Sequence, residues 1–272
     1  MSELVIESGR IERQYWRDLW RYRELFFFFT WRDLLVRYKQ TVVGVSWSLI
    51  RPLLMMTVLT VVFGKLGKMP AAGVPYPLLV FCGMLPWQFF ATAISECGNS
   101  LVMNSNMISK VYFPRLVITV SSVMTTLVDF VVSALFLAVL MIYFHFPPHA
   151  TLLVLPIYVL LMLGASLGVG LWIAALMVEY RDFRFIVPFV VQFGLYVSPV
   201  GFQTSIVPAR FRLLYSLNPM VGIIDGFRWC ILGAATPVYW PGVAISVTEV
   251  VLFVASGIWY FRKTERTFAD VI

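Results

Sequence analysis

Residues 14–41 read QYWRDLWRYRELFFFFTWRDLLVRYKQT. The stretch is too charged to cross a bilayer and too aromatic to dissolve freely. That pairing suits a segment lying flat in the headgroup layer, rings toward the acyl chains and guanidinium groups toward phosphates. Tyr15, Trp16, Leu19, Trp20, Tyr22, Phe26 and Phe27 recur at helical spacing, with Arg13, Arg17, Asp18, Arg21 and Glu24 on the other face. A second helix is expected from Thr30, with Asp33 three residues on as a variant of the capping box. Its Trp31, Leu34, Leu35 and Tyr38 line one face, and Arg32, Lys39 and Gln40 point away. Two roles fit: a plain membrane anchor, or a cationic gate for a phosphate-bearing lipid, built from Arg32, Arg37, Tyr38 and Lys39.

Beyond this segment the chain is apolar almost to its end. Its 272 residues are 60% hydrophobic and 13% charged, with a mean hydropathy of +0.84. An ordinary soluble domain carries about 25% charged residues, so that class is excluded. The net charge of +7 does not point to nucleic acid, because most of the positive charge sits in short segments between apolar runs. Anionic membrane lipids are the expected partner. The first apolar run follows a long charged stretch with no small-residue cleavage site, so no signal peptide is expected. Cys82, Cys97 and Cys230 lie in or beside apolar runs and are expected as buried, inert thiols.

A bilayer core needs roughly 20 apolar residues per helix. Six segments qualify, at about 44–64, 78–100, 116–144, 151–178, 187–207 and 240–261. The expected fold is therefore an all-α polytopic membrane protein with six transmembrane helices, preceded by interfacial amphipathic helices. The division is 1–43 cytoplasmic, 44–261 membrane and 262–272 a cytoplasmic tail. With the N-terminus inside, fifteen Lys and Arg fall on inner segments and five, Lys65, Lys68, Arg210, Arg212 and Arg228, on outer ones. The positive-inside rule then places both termini in the cytoplasm.

Between the fifth and sixth spans, residues 205–236 read SIVPARFRLLYSLNPMVGIIDGFRWCILGAAT. Pro208 can open one short helix, Asn218 and Pro219 another, and Gly233 can close it. The expectation is a re-entrant helix pair in the outer leaflet, tolerated where protein or a wet cavity covers the backbone. An amphipathic outer loop is the alternative.

On the inner side, the loop 101–115 reads LVMNSNMISKVYFPR. Asn104 or Asn106 can cap a short helix there, and Met107, Ile108, Val111 and Tyr112 form an apolar strip suited to docking. The loop 179–185 alternates charge and aromatics, which suits a compact contact with a soluble partner. Within the spans, Asp129, Glu249 and Arg51 each cost several kcal/mol (roughly) unless paired or facing a cavity. Pairing between subunits or between helices is expected in preference to a proton relay. Gly164, Gly168 and Gly170 lie in an apolar helix and read as close packing, not as a nucleotide loop. No G-x-x-x-x-G-K-[ST] occurs, so ATP binding of the P-loop kind is not expected in this chain. His145 and His149 are weak metal-site candidates, and no metal or catalytic site is expected.

Six runs stand out together: TWRDLLVRYKQTVVGVSWSLIRPLL, VFGKL, PYPLLVFCGMLPWQFF, NMISKVYFPRL, YRDFRFIVPFVVQF and LNPMVGIIDGFRW. In this order they resemble the permease subunit of ABC transporters that export polysaccharides, the class of O-antigen, capsule and teichoic-acid exporters. The resemblance runs from about residue 12 to the C-terminus. It implies a homodimer in the bacterial cytoplasmic (inner) membrane that binds two copies of a soluble ABC ATPase. ATP and Mg would reside on those subunits, with no cofactor in this chain.

The first coupling helix would be Asn106, Met107, Ile108, Lys110, Val111, Tyr112, Phe113, Pro114 and Arg115. The second would be Glu179, Tyr180, Arg181, Asp182 and Arg184. Trp31–Lys39 would be a gate helix, and 208–233 would close the outer end. The cargo would be a glycan on a polyprenyl pyrophosphate or another lipid anchor. Trp47, Trp87, Phe193 and Tyr196 are candidates to stack on sugar rings along the pathway, or else are core and interface aromatics. The alternatives are an ABC permease for a small lipid or drug and, from another class, an ion-coupled transporter using Asp129 or Glu249. Scattered acids and the lack of a visible inverted repeat argue against the latter.

Overall fold

The computed structural model describes residues 12–39, 44–71, 73–111, 113–265 and 268, all helical or irregular, with no strand among them. Two helices lead: α1 (Glu12–Arg21) and α2 (Arg23–Lys39). Then come α3 (Gly44–Leu59), continued by a π-helical stretch over Thr60–Leu66, and α4 (Tyr76–Met103). A single turn, α5 (Ser105–Ile108), separates α4 from α6 (Leu116–Tyr143). A 3₁₀ turn at Ala150–Val154 leads into α7 (Leu155–Glu179), followed by α8 (Phe183–Val197). The short α9 (Ala209–Tyr215) and α10 (Pro219–Leu232) precede α11 (Trp240–Thr264).

Among the described residues, five helical segments are long and apolar enough to cross a bilayer: Leu49–Leu66, Tyr76–Met103, Leu116–Tyr143, Ala150–Glu179 and Trp240–Thr264. The fifth expected span, 187–207, takes another form. Its helix begins at Phe183 and stops at Val197. Pro199 disfavours the α conformation at the residue before it, and Ser198 is extended (φ −83°, ψ 153°). At the front, the break falls at Tyr22 and α2 runs through Thr30 without interruption. Nothing in Phe26–Thr30 stops a helix, and burial of Phe29 fixes its phase.

α4 is the hub of the fold, with α3, α6, α7, α8 and α10 packed around it, while α7 lies between α4 and α11. Small residues set the seams. A Cβ on Gly168 would sit 2.6 Å from the backbone carbon of Phe253, and one on Gly257 2.4 Å from the carbonyl oxygen of Gly168. A Cβ on Gly170 would sit 2.7 Å from Cys97 Sγ on α4. In lipid, where apolar surface alone drives little association, such backbone approach is what holds helices together. All three cysteines are free and buried.

Contacts sort the helix ends into two groups. At one end, α2 meets the α4–α6 loop through Arg32–Asn104 and Phe29–Phe113, the ends of α7 and α11 meet through Tyr260–Glu179, and Phe29, Val178 and Phe261 share one buried cluster. At the other, Tyr76 donates to the Gly201 carbonyl and Thr151 donates to those of Trp229 and Cys230. Arg228 on α10 bridges Leu79, Val200 and Phe202 there. Residues 183–200 therefore pass from the first end to the second.

Candidate functional site

The end that carries α2 gathers most of the residues singled out in the sequence. On α2, Arg37 donates at 2.5 Å to Glu96 of α4 and at 2.5 Å to Asp129 of α6. The neighbouring Tyr38 hydroxyl donates to the other oxygen of Asp129. Burial first, and then that hydrogen bond, push the Tyr38 phenol up to about 12. Asp129 is thus paired between helices, which removes most of the cost of a carboxylate in an apolar span. Arg32 lies 5.0 Å over the Phe29 ring, pairs with Asp33 at 2.8 Å and donates to Asn104 at 2.9 Å. Lys39 is exposed at the end of the helix. Both arginines of the expected headgroup gate therefore tie α2 to its own subunit.

The α4–α6 loop is anchored more firmly than its sequence suggests. Ile108, Phe113 and Pro114 are buried and Met107 is half-buried, so part of the apolar strip faces the protein interior. Phe113 packs on Phe29 of α2 with ring centroids 5.8 Å apart. Asn106, Lys110 and Val111 point outward. Asn104 occupies the N-cap position of α5, yet its side chain serves Arg32 and the Ser100 carbonyl instead of the helix N–H groups. Arg115 receives the tail: its backbone N–H donates to Glu265 Oε1 at 2.8 Å, its guanidinium donates to the Glu265 carbonyl, and its charge lies 5.8 Å over the Phe268 ring. Phe268 is fully buried. Burial pushes the Glu265 carboxyl up, and the Arg115 N–H acts against it. Tyr112 lies outside the described residues.

The α7–α8 loop sits beside this one. Tyr180, Arg181, Asp182 and Arg184 are exposed, and Glu179 accepts from Tyr260 at 3.1 Å. An open cavity of about 470 Å³ separates the two loops, lined among others by Asn99, Val102, Ser105, Met177, Arg181 and Arg184. The two expected docking loops thus share one concave surface.

The four pathway aromatics do not come together. The Trp47 side chain lies outside the described residues. Trp87 is buried against Phe90, with its ring where a Cβ on Gly194 would be 2.6 Å away. Phe193 and Tyr196 stand exposed on α8, and Phe193 stacks on Phe189 at 6.3 Å.

Three features escaped the sequence reading. Glu96 is a lone carboxylate in an apolar run, and its cost there was a usable signal. The tail contacts of Glu265 and Phe268 follow a helix end and left no periodic trace. Arg228, expected on an outer segment within the re-entrant pair, is buried at 1% exposure and donates at 2.7–3.2 Å to three carbonyls. Gly83 makes room for it, since a Cβ there would meet Arg228 Nη2 at 2.5 Å.

A family model described as ABC-2 type transporter matches residues 24–232. The O-antigen export system permease protein RfbA of Myxococcus xanthus is 30% identical over 260 residues, 94% of this chain and 98% of that protein. An O-antigen export system permease protein RfbA of Klebsiella pneumoniae is 26% identical over 242 residues, 89% of this chain and 92% of its own length.

Proposed function

The chain belongs to the ABC-2 type transporter family, and on that premise we propose that it is the membrane-spanning permease of an ATP-driven exporter of a lipid-linked polysaccharide. The cargo would be of the O-antigen, capsule or teichoic-acid kind. The observation that carries this reading is the end-to-end likeness to O-antigen export permeases, which leaves no large part of the chain unmatched.

In this reading two copies form the conduit in the bacterial inner membrane, and each pairs with a separate ATPase that supplies ATP and Mg chemistry. Residues 183–203 make the sixth crossing. A 15-residue helix spans only about 22 Å, so the irregular segment from Ser198 to Gln203 completes the passage and both termini lie in the cytoplasm. Irregular backbone at that depth is tolerated because α10 and its Arg228 cover it. The pair α9 and α10 closes the outer end as a re-entrant hairpin.

ATP binding draws the partner subunits together, and the outward residues of the two inner loops, Asn106, Lys110, Val111, Tyr180 and Asp182, receive that motion. Arg32–Asn104 and Phe29–Phe113 pass it to α2. The anionic head of the cargo competes with Glu96 and Asp129 for Arg37, assisted by Lys39, and α2 swings clear. Only a ligand that prefers the open state can shift such an equilibrium, and a pyrophosphate does so by replacing two carboxylates. The sugar chain then threads outward past Tyr196, exposed on α8.

The test is complementation. A strain lacking its own O-antigen permease is given this chain together with its cognate ATPase. Surface glycan restored by the pair, and by neither chain alone, supports the proposal. A chain that never copurifies with the ATPase on coexpression refutes it.

A further inference from the structure

Cations at the α2 end of the molecule are not equivalent. Arg37 is held by two carboxylates and Arg32 by Asp33 and Asn104. Arg181 and Arg184 form no ion pair among the described residues, and Asp182 between them pairs with neither. Both line the cavity of about 470 Å³, whose lining contains no carboxylate. That size is ordinary for a small-ligand site. Asn99 and Ser105 add hydrogen-bonding groups to its wall, and Val102 and Met177 add apolar ones.

Its position matters as much as its charge. The wall is built from the last turns of α4 and α7 and the first turn of α8, the level at which apolar spans give way to polar loops. Phe185 lies on the rim and starts a column with Phe189 and Phe193 on one face of α8, exposed by 78%, 69% and 60%. A cationic recess that opens onto an apolar helix face has the shape of a lipid site, headgroup in the recess and acyl chain on the column.

We infer that Arg181 and Arg184 bind the phosphate of a net-anionic lipid headgroup in the inner leaflet, with its acyl chain along Phe185, Phe189 and Phe193. The same chemistry is offered by an anionic glycerophospholipid and by a polyprenyl pyrophosphate. The inference borrows from the proposed function only that this end of the molecule faces the cytoplasmic headgroups. It moves these two arginines from the ATPase contact to the lipid.

Native mass spectrometry of the delipidated full-length permease tests this, with phosphatidylglycerol, a polyprenyl pyrophosphate or phosphatidylcholine added in separate arms. Retention of either anionic lipid over phosphatidylcholine is expected, and the arm that responds identifies the source. R181Q/R184Q should weaken retention roughly tenfold, and R181K/R184K should keep most of it, because charge near the headgroups dominates. Should the double variant fail to fold, R181Q and R184Q singly should each weaken it roughly threefold. Equal retention of phosphatidylcholine, or unchanged retention in the glutamine variants, overturns the inference. Copurification of the ATPase is measured alongside. Loss of the ATPase with lipid retention intact returns the arginines to the docking surface, whereas loss of lipid with the ATPase still bound supports the lipid site.

Discussion

Arg37 is the residue on which the α2 end of the molecule turns. Its two carboxylate partners stand 59 and 92 positions away in the chain, on helices that would otherwise carry single charges in apolar surroundings. Truncation to Ala strands Glu96 and Asp129 and should lower stability by roughly 1–3 kcal/mol, read as a fall in the thermal midpoint of the purified permease. Charge reversal, R37E, should abolish export while the ATPase still copurifies. Unchanged export would remove Arg37 from the gate. Tyr38 adds a pH signature. Its phenol rises from 10.0 to about 12 on folding, so its contribution is complete below pH 10 and is lost as pH climbs through 12. The wild type should therefore lose thermal midpoint more steeply than Y38F across that window; parallel curves would mean that the hydroxyl bonds nothing that matters. The residue types of this cluster were legible in the sequence, as a cationic helix and an interior acid. That Asp129 would pair was legible as well; that its partners would be Arg37 and Tyr38 was not, because a tertiary contact leaves no local pattern.

Among the elements, spans bounded by loops of clear polarity were legible almost to the residue. Leu116–Tyr143 and Trp240–Thr264 follow apolar runs with a Pro–Arg or Pro-containing entry and a polar or basic exit. α8 was not, since Pro199 sits inside an apolar run and hydropathy is blind to the backbone restriction it imposes. The glycines of α7 were legible as packing residues, though not which partner each one meets. G257A should separate α7 from α11, because its methyl would collide with the Gly168 carbonyl, a backbone atom with little freedom to move. A loss of about 1–3 kcal/mol is expected, together with weakened stacking of Trp172 on Tyr260, now 4.2 Å between centroids. The fluorescence of Trp172, isolated by replacing other tryptophans, reports it. Arg228 is the counterpart at the opposite end. R228M loses three carbonyl partners and should loosen α10 from α4 and the 200–202 turn, seen as faster proteolysis of the α9–α10 connection with the ATPase still bound. Unaltered cleavage would show that packing alone holds α10.

Across the whole molecule, one end is tied by aromatic and polar contacts among α2, the α4–α6 loop and the tail, and the other by the buried Arg228. Between them lie apolar helices whose seams are set by glycines. The central claim is that this chain translocates a lipid-linked glycan only under power from a separate ATPase. The most direct measurement is the ATP-dependent movement of such a glycan across proteoliposomes containing the permease alone or with its ATPase. Transport confined to vesicles holding both subunits and ATP is the predicted result; uphill movement by the permease alone, or a glycan that stays put when both are present and ATP is hydrolysed, would contradict it.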